Sequence, residues 1–472
     1  MKQLNPIDAL FVYNETNRVP MHIGPVMIYD PSTTKDGIVR FKEILDLFAN
    51  NLHKAPVFRR KLRRLPADFD SPYWVDDPNF DLEFHVRHLA LPKPGNWRQL
   101  YIQLARLHSR PIDLDRPPWE VHVIEGLDNL EGINSGCFAM FIKVHHSAMG
   151  GITAGQILEA LHDVEPYPKR AKETVPSWEP ETPPKLSTLV GKGYLKLLKS
   201  PTKMLALGKN IITSRDLNKT QEQSDDHDPI EITAKTRFNE LISPHRVMGG
   251  YSAQLDDIKL IKNVAGATVN DVVLGIVGGT MRRYFEEKDE LPEESLVAIM
   301  PVSTRREENL FTDGGNEVSG IRVRLGTHIA DPLERIKAIH TEALHSKTYA
   351  NAVGADLMVN AIHSVPATLA ALGSRAASAA NLTAKKVLGH TGVTNVPGTP
   401  YPLYMCGAKV VRMFGPGVIT DGMGLFHCVS SDNGEVTITF LSCRDMLPDP
   451  DLYHQCLSKE YKSLLASAKK AA

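Results

Sequence analysis

Six prolines fall within the stretch Glu165–Pro184, "EPYPKRAKETVPSWEPETPP". Each lacks a backbone N–H and holds φ fixed, so neither a regular helix nor a central strand can run through it, and an extended connector is expected. This connector divides a chain of 472 residues that is too long for one ordinary core. We expect a first half over 1–164, the connector and a basic segment over 165–230, and a second half over 231–472.

Ahead of the connector, "CFAMFIKVHH" from Cys137 reads as a strand. A period of two puts Phe138, Met140, Ile142, Val144 and His146 on one face, and His145 on the other. "WEVHVIEGL" from Trp119 is a second strand, and the polar "DNLEGINSG" between them is a hairpin connection. The glycines after the histidines permit a tight turn into the helical pattern "GGITAGQILEALHDV". Beyond the connector, "RVMGGYSAQL", "NEVSGIRVRLGTHI" and "EVTITFLSC" read as strands, while "DDIKLIKNVAG", "TVNDVVLGIVGGTMRRYFEEK" and "DPLERIKAIHTEALHSK" read as helices. Thr268 and Asp271 form a capping-box-like start that sets Asn270 in a first turn, near the positive end of a helix dipole. Both halves mix strands and helices, so the fold class expected is α/β, of the α+β kind with mixed sheets.

Charge and cysteine usage narrow the partners. A formal net charge of -1 gives no global attraction to nucleic acid or anionic lipid. The five cysteines lack C-x-x-C spacing, which suits reduced thiols in a cytoplasm better than a disulfide frame or a metal cluster. No metal, prosthetic group or other cofactor is expected. Asp8 and Glu15 interrupt the apolar N-terminus, which does not read as a signal peptide, and no apolar run approaches a spanning length. After the connector, Lys185–Arg215 interleaves six lysines and one arginine with leucines and has no acid. It reads either as a peripheral contact with a lipid surface or as a linker helix packed across the junction.

The histidine pair in "KVHHSAMGG" carries the chemistry. An imidazole of ordinary pKa near 6.5 can take a proton from a hydroxyl as a bond forms, and return it to a leaving thiolate. A strand end before a glycine turn leaves such a base open to substrate. Two adjacent histidines can equally be buried polar or surface residues. A metal site fits poorly, because neighbours on a strand point to opposite faces and H-E-x-x-H is absent. No serine occupies G-x-S-x-G, so the nucleophile elbow of the serine hydrolases is missing. "GPGVITDG" from Gly415 lacks the spacing of a phosphate loop and reads as a turn between strands. His22, His88 and His122 read as hydrogen-bonded core or surface histidines.

Eight short motifs occur in one order: "PMHIG" from Pro20, "HVRHLALPKPG" from His85, "RPPWEVHVIEGL" from Arg116, "KVHHSAMGG", "NDVVL" from Asn270, "MPVSTR" from Met300, "TNVPG" from Thr394 and "CRDMLP" from Cys443. Together they resemble the bacterial bifunctional wax ester synthase/diacylglycerol acyltransferases over nearly the whole chain. The resemblance implies two chloramphenicol-acetyltransferase-like halves with a central tunnel. It implies acyl transfer from a long-chain acyl-CoA to the hydroxyl of a diacylglycerol or long-chain alcohol, at a membrane or lipid-inclusion surface and without nucleic acid.

In that family the motif is H-H-x-x-x-D-G, whose second histidine, the general base, falls on His146; His145 then supports the turn. Asn270 falls on the Asn-Asp motif, where an amide donor suits the oxyanion of a tetrahedral intermediate. Asp271 reads more simply as a capping carboxylate, and Asn395 and Gly398 as residues shaping the turn. Trp119 and Arg116 read as framework. The sequence departs from the motif at Gly150, which stands where the family has aspartate. That loss removes an ion pair with an arginine elsewhere and leaves about 0.5–1 kcal/mol of extra backbone freedom to be ordered. An arginine left buried without its partner would cost more, about 3–5 kcal/mol. An active enzyme and a non-catalytic lipid-binding or inclusion-coating relative both remain open.

Overall fold

The computed structural model describes residues 2–68, 70–149, 151–168, 176–195, 230, 232–303, 318–353, 367–385 and 387–472. Gly150 lies outside them, as does the basic segment beyond residue 195.

The strands, in chain order, are β1 (Lys2–Gln3), β2 (His22–Ile23), β3 (Val26–Asp30), β4 (Arg60–Arg63), β5 (Tyr73–Asp76), β6 (Val86–Ala90), β7 (Trp119–Glu125) and β8 (Phe138–His145) in the first half. The second half contributes β9 (Arg246–Gln254), β10 (Val297–Ser303), β11 (Val318–Arg324), β12 (Thr391–Pro397), β13 (Tyr404–Met405), β14 (Ala408–Phe414), β15 (Leu425–Asp432) and β16 (Glu435–Cys443). The hairpin expected between β7 and β8 is present, with Val121 opposite Ile142.

Two large sheets result, both mixed. One runs β11-β10-β12-β15-β16-β9, with β10, β12 and β15 parallel. The other runs β13-β14-β3-β8-β7-β6, with β2 alongside β8 and with β6 and β7 parallel. The second sheet is therefore shared: β13 and β14, which lie in the second half of the chain, cross over to finish the first half's sheet along β3. A small sheet β1-β5-β4 stands apart.

Helices cover the faces. Phe41–Asn51 and Gly151–Leu161 pack one face of the first half's sheet, where Phe48 stacks on the fully buried Trp119 (ring centroids 5.8 Å apart). Trp119 also donates its indole N–H to Phe58 O at 3.1 Å, which gives it the framework role expected. On the other face the core is continuous between the halves. Val26, Leu100, Leu104 and Phe141 share a single cluster with Val247, Val272, Ile276 and Phe440. Among the described residues no single helix is long and apolar enough to cross a membrane.

The helix Val269–Glu286 starts as its sequence requires. Thr268 N donates to Asp271 Oδ2 at 2.8 Å, and Asp271 N donates to Thr268 Oγ1 at 3.3 Å, the reciprocal bonds of a capping box. Asp271 also faces His340 Nδ1 at 2.7 Å.

Candidate active site

Strand β8 ends one residue earlier than its hydrophobic alternation suggests. His145 closes the strand, and its ring accepts the N–H of Ser147, so His146 opens a single 3-10 turn, His146–Ala148, instead of continuing the pleat. Local side-chain capping thus overrides the period of two. His146 N–H donates to Met21 O at 2.7 Å. Its ring lies flat on Phe11, with centroids 4.0 Å apart and planes 10° from parallel.

The ring of His146 lines a cavity of about 550 Å³ between the two halves. The first half supplies Ile23, Met27, Ile142, Met149 and Leu158, and the second half Ile299, Thr394, Val396, Phe426 and Cys428. Its size is that of a small-molecule site, and its wall is almost wholly apolar. Met413 and Phe414 at the end of β14 line the wall, and so do Gly415–Val418, the start of the stretch "GPGVITDG" read from sequence only as a turn between strands. Phe426 fills a gap edged by two glycines. A Cβ on Gly417 would stand 2.1 Å from the Phe426 ring, and one on Gly392 would stand 2.4 Å from it.

Ionisable groups are few there. Among the described lining residues, only His146 and Cys428 can exchange a proton. Burial pushes the Cys428 thiol up to about 12, so it stays protonated near neutrality. Burial in the apolar wall pushes the His146 imidazole down to about 4, against the opposing pull of a backbone hydrogen bond, so the ring is neutral at pH 7 and able to accept a proton. Ser430, also in the wall, spends its hydroxyl proton on Met413 O at 2.7 Å.

His145 is fully buried. Its Nδ1 faces Ser147 Oγ at 2.7 Å and its Nε2 faces Glu15 Oε2 at 3.4 Å. Asn270 stands in the first turn of its helix, where Asn395 Nδ2 donates to Asn270 Oδ1 at 2.7 Å. Asn270 is not itself in the cavity wall; Thr394 and Val396, on either side of Asn395, are. Gly398 shapes the same turn by donating its N–H to Ser431 O at 2.8 Å.

The histidines read as ordinary core or surface residues divide. His122 contacts Glu120 at 3.3 Å and His88 contacts Glu125 at 3.0 Å. His22 differs: it is fully buried, neither ring nitrogen has a hydrogen-bond partner among the described residues, and its ring sits 4.6 Å from that of the equally buried His108. Burial pushes both pKa values well below the usual range, so the pair is held neutral. Sequence reasoning also passed over Phe11 and Glu15. Their spacing of four residues places them one above the other on the first helix, Pro6–Asn14, and its exit, and was the available signal.

Two mixed sheets clasping an apolar cavity, with one neutral imidazole in its wall, have the build of the CoA-dependent acyltransferase fold. A trichothecene 15-O-acetyltransferase of Fusarium sporotrichioides shares that fold, with a TM-score of 0.61 over 98% of this chain at 9% identity. The model of the wax ester synthase/diacylglycerol acyltransferase catalytic domain matches residues 4–273, and that of the family's C-terminal domain matches 314–465, so the chain belongs to the wax ester synthase/diacylglycerol acyltransferase family of acyl-CoA-dependent O-acyltransferases. A Mycobacterium tuberculosis protein named as a diacylglycerol O-acyltransferase is 30% identical over 456 residues, 95% of this chain and 87% of that one. O-acyltransferase WSD of Acinetobacter baylyi is 28% identical, over 95% of this chain and 93% of its own length. The wax ester synthase/diacylglycerol acyltransferase of Marinobacter aquaeolei VT8 superposes with a TM-score of 0.69 at 26% identity, covering 99% of this chain and all of that one.

Proposed function

We propose that the protein transfers a long-chain acyl group from acyl-CoA to the hydroxyl of a diacylglycerol or long-chain alcohol, making triacylglycerol or wax ester, with His146 as general base. The observation that carries this reading is the neutral imidazole of His146 in an apolar wall whose one thiol, Cys428, is held protonated. The hydroxyl gives its proton to the imidazole as its oxygen attacks the thioester carbonyl. The Asn270 amide, held by Asn395 at the start of a helix behind the wall residues Thr394 and Val396, is assigned to the resulting oxyanion, which requires it to turn into the cavity when substrate is bound. Collapse of the intermediate breaks the carbon–sulfur bond, and the imidazolium returns the proton to the departing CoA sulfur. His145 supports the turn without touching substrate. Acyl-CoA is a co-substrate, and the protein's own side chains move the proton.

Oily substrates call for a peripheral contact with a membrane or lipid inclusion on the cytoplasmic side. The helical residues 186–195 suit it. Leu189 is buried against Leu65 and Tyr73, while Leu186, Val190 and Tyr194, four residues apart, stand exposed beside Lys185 and Lys192.

The test is product analysis with purified protein given palmitoyl-CoA and, in competition, a fatty alcohol and a diacylglycerol. His146→Ala should abolish ester formation while leaving the fold intact; near-full activity would remove His146 from its role. Gly150 favours a second reading, a lipid-binding or inclusion-coating relative without turnover. Gly150→Asp separates the two: a large gain in turnover belongs to an impaired enzyme, and no turnover in either form to the binding protein.

A further inference from the structure

The N-terminal helix Pro6–Asn14 and the residue that ends it grip both histidines of the motif. Phe11 stacks on the His146 ring at 4.0 Å. Four residues on, the largely buried Glu15 carboxylate is shared. Its Oε1 accepts the N–H of Met21 at 3.2 Å, and its Oε2 faces His145 Nε2 at 3.4 Å. Each branch continues to the turn. Met21 O accepts the N–H of His146 at 2.7 Å, and His145 Nδ1 accepts the N–H of Ser147 at 3.2 Å.

This arrangement fixes a tautomer. Because Nδ1 of His145 receives a backbone N–H, its ring proton resides on Nε2, the nitrogen 3.4 Å from Glu15 Oε2. A carboxylate is the group that can accept on both sides at once. A carboxamide has one acceptor oxygen, so one of the two contacts would set donor against donor.

We infer that Glu15, with Phe11, is a positioning residue for acyl transfer, which fixes the turn carrying His146 through His145 on one side and Met21 on the other. The inference rests on the reading of His146 as the base. It also gives the chain a carboxylate that anchors the histidine turn from outside the motif, in a protein whose motif has Gly150 where the family has aspartate. A base held in line by one hydrogen-bonded branch through Met21, a carboxylate 3.4 Å from the His145 ring and a flat aromatic neighbour is pre-organised, and loss of such positioning lowers turnover more than substrate affinity.

Full-length Glu15→Gln keeps the size of the side chain and breaks its symmetry of acceptors. Its kcat with palmitoyl-CoA and hexadecanol should fall by roughly ten- to a hundredfold, with KM for the acyl donor changed by less than about threefold. Phe11→Leu, which keeps an apolar side chain and removes the flat face, should also lower kcat while sparing KM. In a His145→Ala background, the further effect of Glu15→Gln on kcat should shrink to about twofold or less, because the two residues act in one chain. Circular dichroism and thermal melts identify the folded fraction used to scale kcat. An inactive His146→Ala beside Glu15→Gln and Phe11→Leu of full kcat overturns this inference and leaves the base in place. Penalties from Glu15→Gln and His145→Ala that simply multiply overturn it as well. An active His146→Ala overturns the reading of the base, and this inference with it.

Discussion

Asn395, on β12, donates its side-chain amide to the carboxamide oxygen of Asn270 across 2.7 Å, tying a strand beside the cavity to the first turn of the helix Val269–Glu286. The bond orients the Asn270 carboxamide and leaves its NH2 group directed away from Asn395. Asn270→Ala should lower kcat by about 10²–10³-fold, the usual effect of removing one oxyanion donor, with KM little changed. Asn395→Ala, which only frees Asn270 to rotate, should cost less. Steady-state kinetics on the two variants check the order.

The pH dependence follows from buried histidines. His22, His85, His108, His122, His146, His162, His390 and His427 all have pKa values pushed below 6.5, chiefly by burial. Between 6.5 and the lower folded values, the unfolded chain binds protons that the native state refuses. Their contribution is therefore fully present above pH 6.5 and is lost as pH falls toward about 4, where His146 and His162 titrate. Asp432, pushed up to about 6 by burial, opposes this with a single group. Denaturant midpoints should drop steeply between pH 6.5 and 4.5; a flat profile would contradict the burial of these rings. For the free enzyme, initial rates should keep kcat/KM high well below pH 6.5, with the acid limb near 4.

Glu460 is buried between two arginines, with Arg335 Nη2 at 2.9 Å and Arg283 Nε at 2.6 Å. Arg335 is itself 2% exposed, so Glu460→Ala leaves its charge inside the protein without compensation. The expected loss is about 3–5 kcal/mol, read as a shift in the denaturant midpoint. Replacing Glu460 and Arg335 together by methionines should recover much of it.

Gly392 and Gly417 leave room for the Phe426 ring in the cavity wall. A methyl group at either position must push the ring away from it, so Gly392→Ala should cost about 1–3 kcal/mol of stability. It should also depress kcat/KM for palmitoyl-CoA more than for a short acyl-CoA. A chain-length series on the folded variant measures the ratio.

Much of the second half was legible because its elements carry strong local signals. The Thr268–Asp271 capping box, the alternation of Glu435–Cys443 and the glycine-ended helix Leu255–Ala265 all fold as their residues suggest. His146 was found for its chemistry and shares the cavity with Ile142 as its phase suggests, but the strand stops one residue short of it, since the ring of His145 takes up the backbone of Ser147 and ends the strand. Glu15 and Phe11 were missed because their importance lies in what they meet across the fold, and spacing along one helix does not name a partner. The stretch from Gly415 looked like a connection for the same reason: only the crossover of β14 brings Gly415–Val418 to the cavity.

That crossover governs how the chain must be assembled. Tyr404 and Asp163 exchange backbone hydrogen bonds of 2.8 Å in each direction, and β14 continues along β3, so the amino-terminal lobe acquires its last ribbons only after residue 400 has emerged. A fragment stopping at the connector would present the naked rim of β3 to any passing strand, whereas two separately made pieces, mixed, should find each other by filling it. The protein is thus a clasp, closed from its far end.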